Sequence, residues 1–512
     1  MKERILSIDC GTQSIRGIIF DEKGQIIECE KITFEPYFSK KPGWAEQNPE
    51  VYWNALCEAS KKLKAKNNEE FKNIKAVVLS TLRDTLINVD EEGNVLRPTM
   101  TWLDQRMAKK PGKLTKFEKL IFSCVGMKKT IRIISEESKA LWIKENQPEI
   151  WEKTFKYLQV SGYLNYKLTN KFVDSIASQI GHLPFDYKRK EWIKKDSNFK
   201  WRMFGVGREK LPDLVEAGTF IGNISEYASK KTGLSQDVKV IAGGSDKGCE
   251  TLANGCIDVK SVSLSFGTTA TIQTTSKKYI EPIKFMPPYP AVISERYNPE
   301  VEIFRGYWMI KWFKKEFANK EMQEAAQMNV SAEKLLNDRL NEIPPGSEGL
   351  ILQPYWGPHV KTPNAKGAII GFGASHTRIH IYRAIIEGIN FGLIEGLKDI
   401  EKKSKKKVDK IMVAGGGAQS DTICQITSDM FNLPVHRIHT YEASALGAAI
   451  IGFVSLKKYT CYDEAVKNMV HYEKKFVPNQ KNAEVYNKLY EKVYKKIYPN
   501  LKGLYNNLKH IV

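Results

Sequence analysis

The chain has 512 residues, of which 42% are hydrophobic and 27% charged, a balance typical of a globular protein too long for one hydrophobic core. No apolar run approaches the ~18 residues that a membrane-spanning helix needs. The eight cysteines form no Cys-x-x-Cys pair, which argues against structural zinc and a disulfide scaffold and favours a reducing, cytoplasmic location. The net charge of +20 comes largely from lysines on predicted solvent-facing helices, so we expect neither nucleic acid nor a membrane as a partner.

A predicted β-hairpin opens the chain. Residues 5–8 and 15–20 are apolar strand segments, and the turn between them reads Asp9-Cys10-Gly11-Thr12-Gln13-Ser14. Small residues let backbone N–H groups and hydroxyls approach an anion, so this turn is a candidate phosphate loop. It is not a P-loop, because the pattern Gly-x-x-x-x-Gly-Lys-Ser/Thr is absent.

A charged pair follows the next buried strand. An amphipathic helix over residues 49–64 is predicted to pack on a sheet, and the strand over residues 75–80 then runs into Arg83 and Asp84. A guanidinium donor and a carboxylate acceptor can bracket vicinal hydroxyls of a ligand. The same two residues can instead form a structural ion pair at the strand end.

A second polar cluster lies after a predicted hairpin over residues 87–96. It contains Trp102, Asp104 and Arg106 and is followed by a helical, polar region over residues 117–170. The indole ring is either a platform for a sugar or part of the core. The two charged residues either support or contact a substrate, or they form a salt bridge.

The first half of the chain ends in a strand that delivers a carboxylate. Residues 238–242 are apolar, and Gly243-Gly244-Ser245-Asp246 follows them directly. Open α/β sheets place their ligand crevices at the carboxyl ends of strands, which makes Asp246 a candidate site residue. The alternative is an ordinary turn, for which the same residue types are common.

The second half repeats the opening hairpin. Predicted strands over residues 261–265 and 270–273 flank a turn that contains Gly267-Thr268-Thr269. After a long amphipathic helix over residues 379–397, a strand ends in Gly415-Gly416-Gly417-Ala418-Gln419-Ser420. Glycine-rich backbone before a helix can lie flat against a nucleotide, but the dinucleotide pattern Gly-x-Gly-x-x-Gly is incomplete.

Four of these motifs come in the order used by the FGGY carbohydrate kinases: Asp9-x-Gly11-Thr12-x-Ser14, Gly243-Gly244-x-Asp246, Gly267-Thr268-Thr269 and Gly415-Gly416-Gly417. From Ile5 to Gly452 the chain resembles this family, which includes glycerol kinases, xylulokinases, gluconate kinases and ribulokinases. The resemblance implies an α/β, two-domain actin-like ATPase (ribonuclease H-like) fold, with ATP and substrate in the interdomain cleft and a five-stranded sheet in each half. We expect an N-terminal domain over residues 1–247, a C-terminal domain over residues 248–460 and a helical tail over residues 461–512.

The resemblance also implies ATP and Mg²⁺ as cofactors and phosphoryl transfer to a hydroxyl of a sugar or polyol. The residues that it implies for ATP are Gly11, Thr12, Gln13, Ser14 and Arg16 at the transferred phosphate, Gly267, Thr268 and Thr269 at the phosphate tail, and Gly415, Gly416, Gly417, Gln419 and Ser420 at the adenosine. Asp9, with help from Asp246, is expected to hold magnesium through water. Asp246 is also the predicted general base, because a carboxylate can accept the proton of the attacking hydroxyl.

The expected substrate contacts are Arg83, Asp84, Trp102, Asp104 and Asp246, and the Arg83-Asp84 pair resembles the Arg-Glu pair of glycerol kinases. A neutral ketose or polyol is favoured because Asp84 repels an anion. A sugar-acid kinase is the alternative, since Lys247 next to the base could bind a carboxylate. The motifs are also compatible with an actin-like ATPase that has no sugar substrate, and with a nucleotide-binding regulator that has no turnover. The identity of the sugar and assembly as a homodimer are left open.

Overall fold

A computed structural model describes residues 2–356, 362 and 364–511. These residues divide into two compact units. Unit 1 comprises residues 1–253, 289–296 and 444–469, and unit 2 comprises residues 254–288, 297–443 and 470–512. The predicted boundaries at 247/248 and 460/461 do not coincide with the limits of these units. The chain returns to unit 1 at residues 289–296 and 444–469, and of the expected tail only residues 470–512 belong to unit 2.

Unit 1 is built on a six-stranded sheet. Its strands are β1 (Arg4–Cys10), β2 (Ser14–Phe20), β3 (Ile26–Thr33), β4 (Ile74–Thr81), β5 (Phe220–Asn223) and β6 (Lys239–Ser245). The spatial order is β5-β6-β4-β1-β2-β3. Strands β6, β4 and β1 are parallel, whereas β2, β3 and β5 are antiparallel to their neighbours.

Unit 2 is built on a second six-stranded sheet. Its strands are β7 (Ser261–Phe266), β8 (Ala270–Gln273), β9 (Glu300–Ile303), β10 (Lys410–Ala414), β11 (Val435–Ile438) and β12 (Tyr472–Phe476). The order is β9-β8-β7-β10-β11-β12, with β7, β10 and β11 parallel and the others antiparallel to their neighbours. The two sheets therefore share one pattern of strand directions and the same order of their first four strands, but the sixth strand lies inside the sheet of unit 1 and at the edge of the sheet of unit 2. The repeat that the two hairpins indicated extends over both sheets, although each has six strands where five were expected.

Helices cover these sheets and bury the faces that the sequence predicted. In helix Glu50–Lys66 the side chains of Tyr52, Leu56, Ala59 and Leu63 are buried in the core of unit 1. In the core of unit 2 the long helix Arg378–Ser404 buries Tyr382, Ile385, Ile386, Ile389 and Leu393. The long apolar stripes at helical spacing explain why both predictions hold.

The remaining helices of unit 1 are Asn68–Lys72, Lys116–Cys124, Lys128–Glu136, Lys139–Asn146, Pro148–Lys153, Val160–Thr169, Phe199–Phe204, Glu226–Thr232, Asp246–Ala253 and Tyr462–Met469. Those of unit 2 are Trp308–Phe317, Asn319–Met328, Ala332–Asp338, Asp421–Phe431, Gln480–Leu489 and Lys495–Ile511. A small second sheet in unit 1 contains the strands Glu46–Gln47, Thr99–Met100, Leu86–Val89 and Lys156–Gln159. None of the described helices is long and apolar enough to cross a membrane.

The helix of small residues, Ala443–Ser455, explains why a late segment of the chain belongs to unit 1. A Cβ atom on Gly447 would lie 2.0 Å from the backbone oxygen of Cys249, and one on Gly452 would lie 2.9 Å from the side chain of Ile5. Glycine at both positions therefore allows close packing against β1 and against the helix that follows β6. The sequence predicted close packing for this helix but not its partners.

Candidate active site

The candidate site residues of unit 1 meet at one edge of its sheet. Asp9 at the end of β1 lies opposite Ser80 of β4, which in turn lies opposite Gly244 of β6. The three parallel strands end at this level, so the residues that follow them emerge together. This is the edge at which open α/β sheets bind ligands.

Two glycines bring Asp246 to this edge. A Cβ on Gly243 would lie 1.9 Å from the backbone oxygen of Leu79, and one on Gly244 would lie 2.4 Å from Val292 Cγ1. The strand therefore continues through both glycines to Ser245, and the alternative of an ordinary turn is wrong. Asp246 is the first residue of helix Asp246–Ala253, and its side chain is 32% exposed. The helix dipole stabilises a negative charge at this position.

Arg83 lies beside Asp246. Its Nε atom is 3.9 Å from Asp246 Oδ1, and its guanidinium group stands over the ring of Tyr289 at 5.2 Å from the ring centre. An arginine supported by an aromatic ring is held in place without losing its charge. Tyr289 was missed by the sequence reasoning, because it is more than 200 positions from Arg83 and no local pattern links them.

Asp84 has a different partner from Arg83. The backbone N–H of His182 donates to Asp84 Oδ1 at 3.0 Å, and the ring Nδ1 lies 2.8 Å from Oδ2. The Nε2 atom of the same ring lies 3.5 Å from a carboxylate oxygen of Glu137. His182 and Glu137 were also missed, and the Gly-His dipeptide at residues 181–182 is the only weak signal for them.

The Asp84–His182 pair is ionised. Burial alone would raise the pKa of Asp84, but the charge and hydrogen bonds of His182 outweigh this effect and lower the pKa. Burial likewise opposes protonation of His182, but the carboxylates of Asp84 and Glu137 raise the pKa of its ring to about 10. The ring is therefore an imidazolium cation at neutral pH, and it balances the charge of Asp84.

The first candidate phosphate loop is a tight turn between β1 and β2. The backbone N–H of Gly11 donates to the backbone oxygen of Ser14 at 3.0 Å, while the segment from Gly11 to Gln13 remains partly or fully exposed. The Thr12 hydroxyl accepts a hydrogen bond of 3.0 Å from the indole N–H of Trp102. Arg16, opposite Asp9 in the hairpin, donates to Asp9 Oδ2 at 3.3 Å.

Burial and the carboxylates at this edge both raise the pKa of two thiols, Cys10 and Cys249. Burial raises the pKa of Cys10, and the charges of Asp9 and Asp246 raise it further. Burial also raises the pKa of Cys249 to about 12; a hydrogen bond with Ser80 opposes this rise, and the same two carboxylates add to it. Both carboxylates are therefore electrostatic neighbours of both thiols, which stay neutral and are not nucleophiles.

Asp104 lies in a buried network and not at an open surface. Its side chain is 0% exposed, and its oxygens accept hydrogen bonds from the backbone N–H of Ala45 at 2.7 Å and from the Arg106 guanidinium at 2.7–3.0 Å. Arg106 also donates to Glu46 at 3.0 Å. Of the two alternatives for Asp104 and Arg106, the structure therefore shows the salt bridge. The expected contact between Asp104 and substrate is not supported, because neither carboxylate oxygen of Asp104 is accessible. Trp102 is half-buried against the core and touches the phosphate loop through its N–H.

Lys247 forms an ion pair within its own helix. Its Nζ atom is 3.5 Å from Glu250 Oε2, one turn further along the helix that begins at Asp246, and its side chain is 17% exposed. The charge of this ammonium is therefore at least partly balanced by a carboxylate.

The second hairpin turn, in unit 2, exposes Thr268. The backbone oxygens of Gly267 and Thr268 accept hydrogen bonds from the backbone N–H groups of Tyr307 and Trp308, and the Thr269 hydroxyl donates to the backbone oxygen of Phe304 at 3.1 Å. These bonds fix the turn from behind.

The glycine-rich loop after β10 combines one open glycine with two that pack closely. Gly415 has φ +86°, and a Cβ on Gly417 would lie 2.3 Å from the ring of Tyr307. By contrast, a Cβ on Gly416 would meet no atom within 4 Å. Gly416 therefore presents bare, accessible backbone, which is what a flat ligand needs.

Neighbouring side chains hold the end of this loop. The Ser420 hydroxyl accepts a hydrogen bond from the N–H of Ile423 and begins helix Asp421–Phe431, while Gln419 is exposed. Arg437 donates to the backbone oxygen of Ala418 at 3.1 Å and to Asp421 at 2.8 Å. The sequence did not predict that Arg437 supports this loop, because Arg437 lies in the next strand, β11, and no local pattern links it to the loop.

The donor set at the sheet edge of unit 1 suits magnesium better than a transition metal. Within the described part of the chain no group of three or more His, Cys, Asp or Glu side chains could hold a metal ion. Mg²⁺ needs only one or two carboxylates and keeps several waters, so Asp9 and Asp246 fit it.

Comparisons with known proteins agree with the arrangement of strands and motifs. Residues 4–253 match the model of the FGGY family of carbohydrate kinases, N-terminal domain, and residues 262–456 match that of the C-terminal domain. The xylulose kinase of Bacillus subtilis is 29% identical over 493 residues, 95% of each chain, and the gluconokinase of the same organism is 26% identical over 497 residues, 96% of this chain and 94% of the relative.

The solved structure of a xylulose kinase from Lactobacillus acidophilus superposes with a TM-score of 0.83 at 24% identity, over 99% of this chain and 100% of that one. This likeness concerns the fold alone. It confirms the predicted two-domain α/β, actin-like architecture.

Proposed function

Because the chain belongs to the FGGY family of carbohydrate kinases, which phosphorylate an alcohol group of a sugar or polyol with ATP, we propose that its acceptor is a ketose of the xylulose type. Relatives that match 95% of its length include xylulose kinases. The observation that carries the proposal is the partly exposed Asp246 carboxylate with the Arg83 guanidinium 3.9 Å away. An acid–base group and a charged donor at one sheet edge suit an acceptor with several hydroxyls.

In the proposed reaction Asp246 is the general base. The acceptor oxygen forms a bond to the γ-phosphorus of ATP, the bond from that phosphorus to the ADP oxygen breaks, and the hydroxyl proton passes to Asp246. Arg83 orients the acceptor beside Asp246, and Asp84 supports Arg83 by fixing the adjacent backbone. Phosphoryl transfer depends mainly on such positioning, so modest displacement of these groups should slow it strongly.

We assign the phosphate contacts to Gly11, Thr12, Gln13, Ser14 and Arg16, and to Gly267, Thr268 and Thr269 of unit 2. The turns between their strands are partly exposed, with Gln13 and Thr268 the most open residues, and this supports the assignment. We assign the adenosine to Gly415, Gly416, Gly417, Gln419 and Ser420, supported by the open backbone at Gly416. Asp9 and Asp246 would hold Mg²⁺, which when bound offsets phosphate charge.

Two substrate residues have revised roles in this proposal. Trp102 fixes Thr12 through its N–H, so it links the phosphate loop to the acceptor side. Asp104 is proposed to act indirectly: its buried network with Arg106 and Ala45 anchors the segment that carries Trp102.

A sugar acid is the second candidate acceptor, since a gluconokinase is also among the relatives. Repulsion by Asp84 was the main argument against it, and the charge of His182 weakens that argument. However, Lys247 is paired with Glu250, which weakens the argument for a carboxylate next to the base. The ketose remains the acceptor that we propose.

A coupled assay of ADP release over pentuloses, hexuloses, pentitols, glycerol and aldonates tests the proposal. We expect the highest kcat/KM with a ketose. An aldonate with a higher kcat/KM would replace the ketose, and ATP hydrolysis unaffected by every acceptor would contradict acceptor phosphorylation. Assembly as a homodimer is a separate proposal, which light scattering at the assay concentration tests.

A further inference from the structure

A row of three charged side chains next to Arg83 consists of Asp84, His182 and Glu137. The proposed reaction gives no role to His182 or Glu137. The side chains of Asp84 and His182 are each 23% exposed, and that of Glu137 is 44% exposed. The network around Asp104 in the same unit shows what a purely structural cluster looks like here, because the side chains of Asp104, Arg106 and Glu46 are only 0–5% exposed. The Asp84 cluster is therefore open to a small molecule where the other is closed.

The backbone of this cluster adopts uncommon conformations. Asp84 has φ +51° and Gly181 has φ +138°. A Cβ on Gly181 would lie 2.2 Å from Asp84 Oδ1, so only glycine allows the two segments to approach. Such conformations concentrate at sites where a side chain must be held in one orientation, and here they hold His182.

Continuous contacts within unit 1 connect this cluster to the proposed base. The Tyr187 hydroxyl accepts a hydrogen bond of 3.4 Å from the N–H of Gly181, and the Tyr187 ring packs edge-on against Tyr289 at 5.9 Å. Tyr289 supports Arg83, which lies beside Asp246. His182 is thus connected through Gly181, Tyr187 and Tyr289 to Arg83, which lies beside the proposed base Asp246.

The ring of His182 has one donor that is weakly engaged. Its Nδ1 atom is committed to Asp84 at 2.8 Å, whereas Nε2 lies 3.5 Å from Glu137. A strong charge-assisted hydrogen bond is ~2.7–2.9 Å long. The contact with Glu137 is therefore loose, and its partner reaches into solvent.

We propose that His182 is a specificity-determining residue whose Nε2–H binds an acceptor oxygen remote from the reacting hydroxyl, and that Glu137 engages this donor only while no acceptor is bound. The inference rests on the proposed function, since it concerns the acceptor of that reaction. The oxygen of a hydroxyl, a carbonyl or a carboxylate group can accept this hydrogen bond. The positive charge of the ring at neutral pH, together with Arg83, makes a carboxylate acceptable at this position.

Two isosteric variants of His182 separate acceptor binding from structural support. His182→Asn places an amide near the position of Nδ1, so it keeps the bond to Asp84 and removes the donor at Nε2. His182→Gln places an amide near the position of Nε2. We expect His182→Asn to raise the acceptor KM by about 10- to 100-fold, the value of one hydrogen bond to a charged group, with little change in kcat or in the ATP KM. His182→Gln should restore much of the acceptor affinity.

The control is His471→Asn, because His471 is an exposed histidine of unit 2 outside the proposed site. An acceptor KM for His182→Asn equal to that of the wild type would overturn the inference. So would a better acceptor KM for His182→Asn than for His182→Gln, because that order makes the bond to Asp84 the only role of the ring.

Glu137→Gln provides a second variant at a partly exposed position, whose folding is less at risk. It should leave the acceptor KM unchanged or lower it, because it removes a competitor for the donor. A KM raised as far as in His182→Asn would show that the pair is structural and would contradict the inference.

Failure of the inference and failure of the proposed function give different results. The variants are compared with whichever acceptor the wild-type enzyme phosphorylates best. If that acceptor is a sugar acid, the proposed ketose is wrong, and a selective loss of the sugar acid in His182→Asn still supports the inference. If a ketose is best and His182→Asn binds it normally, the proposed function stands and the inference fails.

Discussion

The substitution Gly416→Ala tests the nucleotide role of the glycine-rich loop separately from its role in folding. A Cβ at this position meets no atom of the protein within 4 Å, and φ lies outside the left-handed region that favours glycine. The folded state should therefore accept alanine, and the lower entropy of the unfolded chain should stabilise the protein by about 0.4–1 kcal/mol. At Gly417 the same change would collide with Tyr307 and is expected to destabilise unit 2.

The effect on ATP follows from the size of the added group. A nucleotide in van der Waals contact with the bare backbone would have to move by up to ~1.5 Å, the length of one C–C bond, to accommodate the new Cβ. Because a displacement of ~1 Å can cost ~100-fold in rate, we expect the ATP KM to rise by about 10- to 100-fold, and further in Gly416→Val.

The assay is steady-state kinetics with varied ATP, supported by equilibrium binding of an ATP analogue and by thermal unfolding. Gly503→Ala is the matched control, because a Cβ at Gly503 in helix Lys495–Ile511 also meets no atom within 4 Å. It should leave the ATP KM unchanged. A wild-type ATP KM in both Gly416→Ala and Gly416→Val, with normal stability, would refute the placement of adenosine on this loop.

Asp246→Asn should lower kcat by about 10²–10⁴-fold while ATP binding is retained, and turnover within a few-fold of wild type would remove Asp246 as the base. Asp104→Ala should lower the free energy of unfolding by about 3–5 kcal/mol, because it leaves the buried Arg106 unpaired; chemical denaturation measures this, and a loss of activity at full stability would instead favour a direct contact with substrate. The pKa of His182 is raised in the folded state, so the stability that its charge provides is fully present below ~6.5 and is lost as pH rises towards about 10. The difference in Tm between wild type and His182→Asn should therefore shrink over this interval, and a constant difference would contradict an ionised Asp84–His182 pair.

The sequence predicted the elements whose signals are local. The two hairpins, the buried strands and the long helices follow from apolar periodicity and from glycines at strand ends, and the structure confirms them. It also predicted that Asp246 follows a strand, although not that Gly243 and Gly244 remain within the strand. That result depends on the close approach of Leu79 and Val292, which no local pattern reveals.

The partners of the site residues were beyond the reach of the sequence for a physical reason. His182 meets Asp84 across 98 positions, and Tyr289 reaches Arg83 from a segment that returns to unit 1 late in the chain. Such contacts depend on how loops pack after the sheet has formed. A charged pair adjacent in sequence, such as Arg83-Asp84, therefore suggests an ion pair between the two residues. In the structure Arg83 lies beside Asp246 and Asp84 contacts His182.

The late return of residues 444–469 to unit 1 sets the order in which the protein can fold on the ribosome. The 190 residues from 254 to 443 separate this segment from the rest of unit 1 apart from residues 289–296. At ~5–20 residues per second, their synthesis takes roughly 10–40 s. During this time the surfaces of Ile5 and Cys249 that later contact Gly452 and Gly447 lack their partners. The nascent N-terminal half should therefore be a substrate for chaperones, and the same half expressed as a fragment should aggregate unless helix Ala443–Ser455 is supplied.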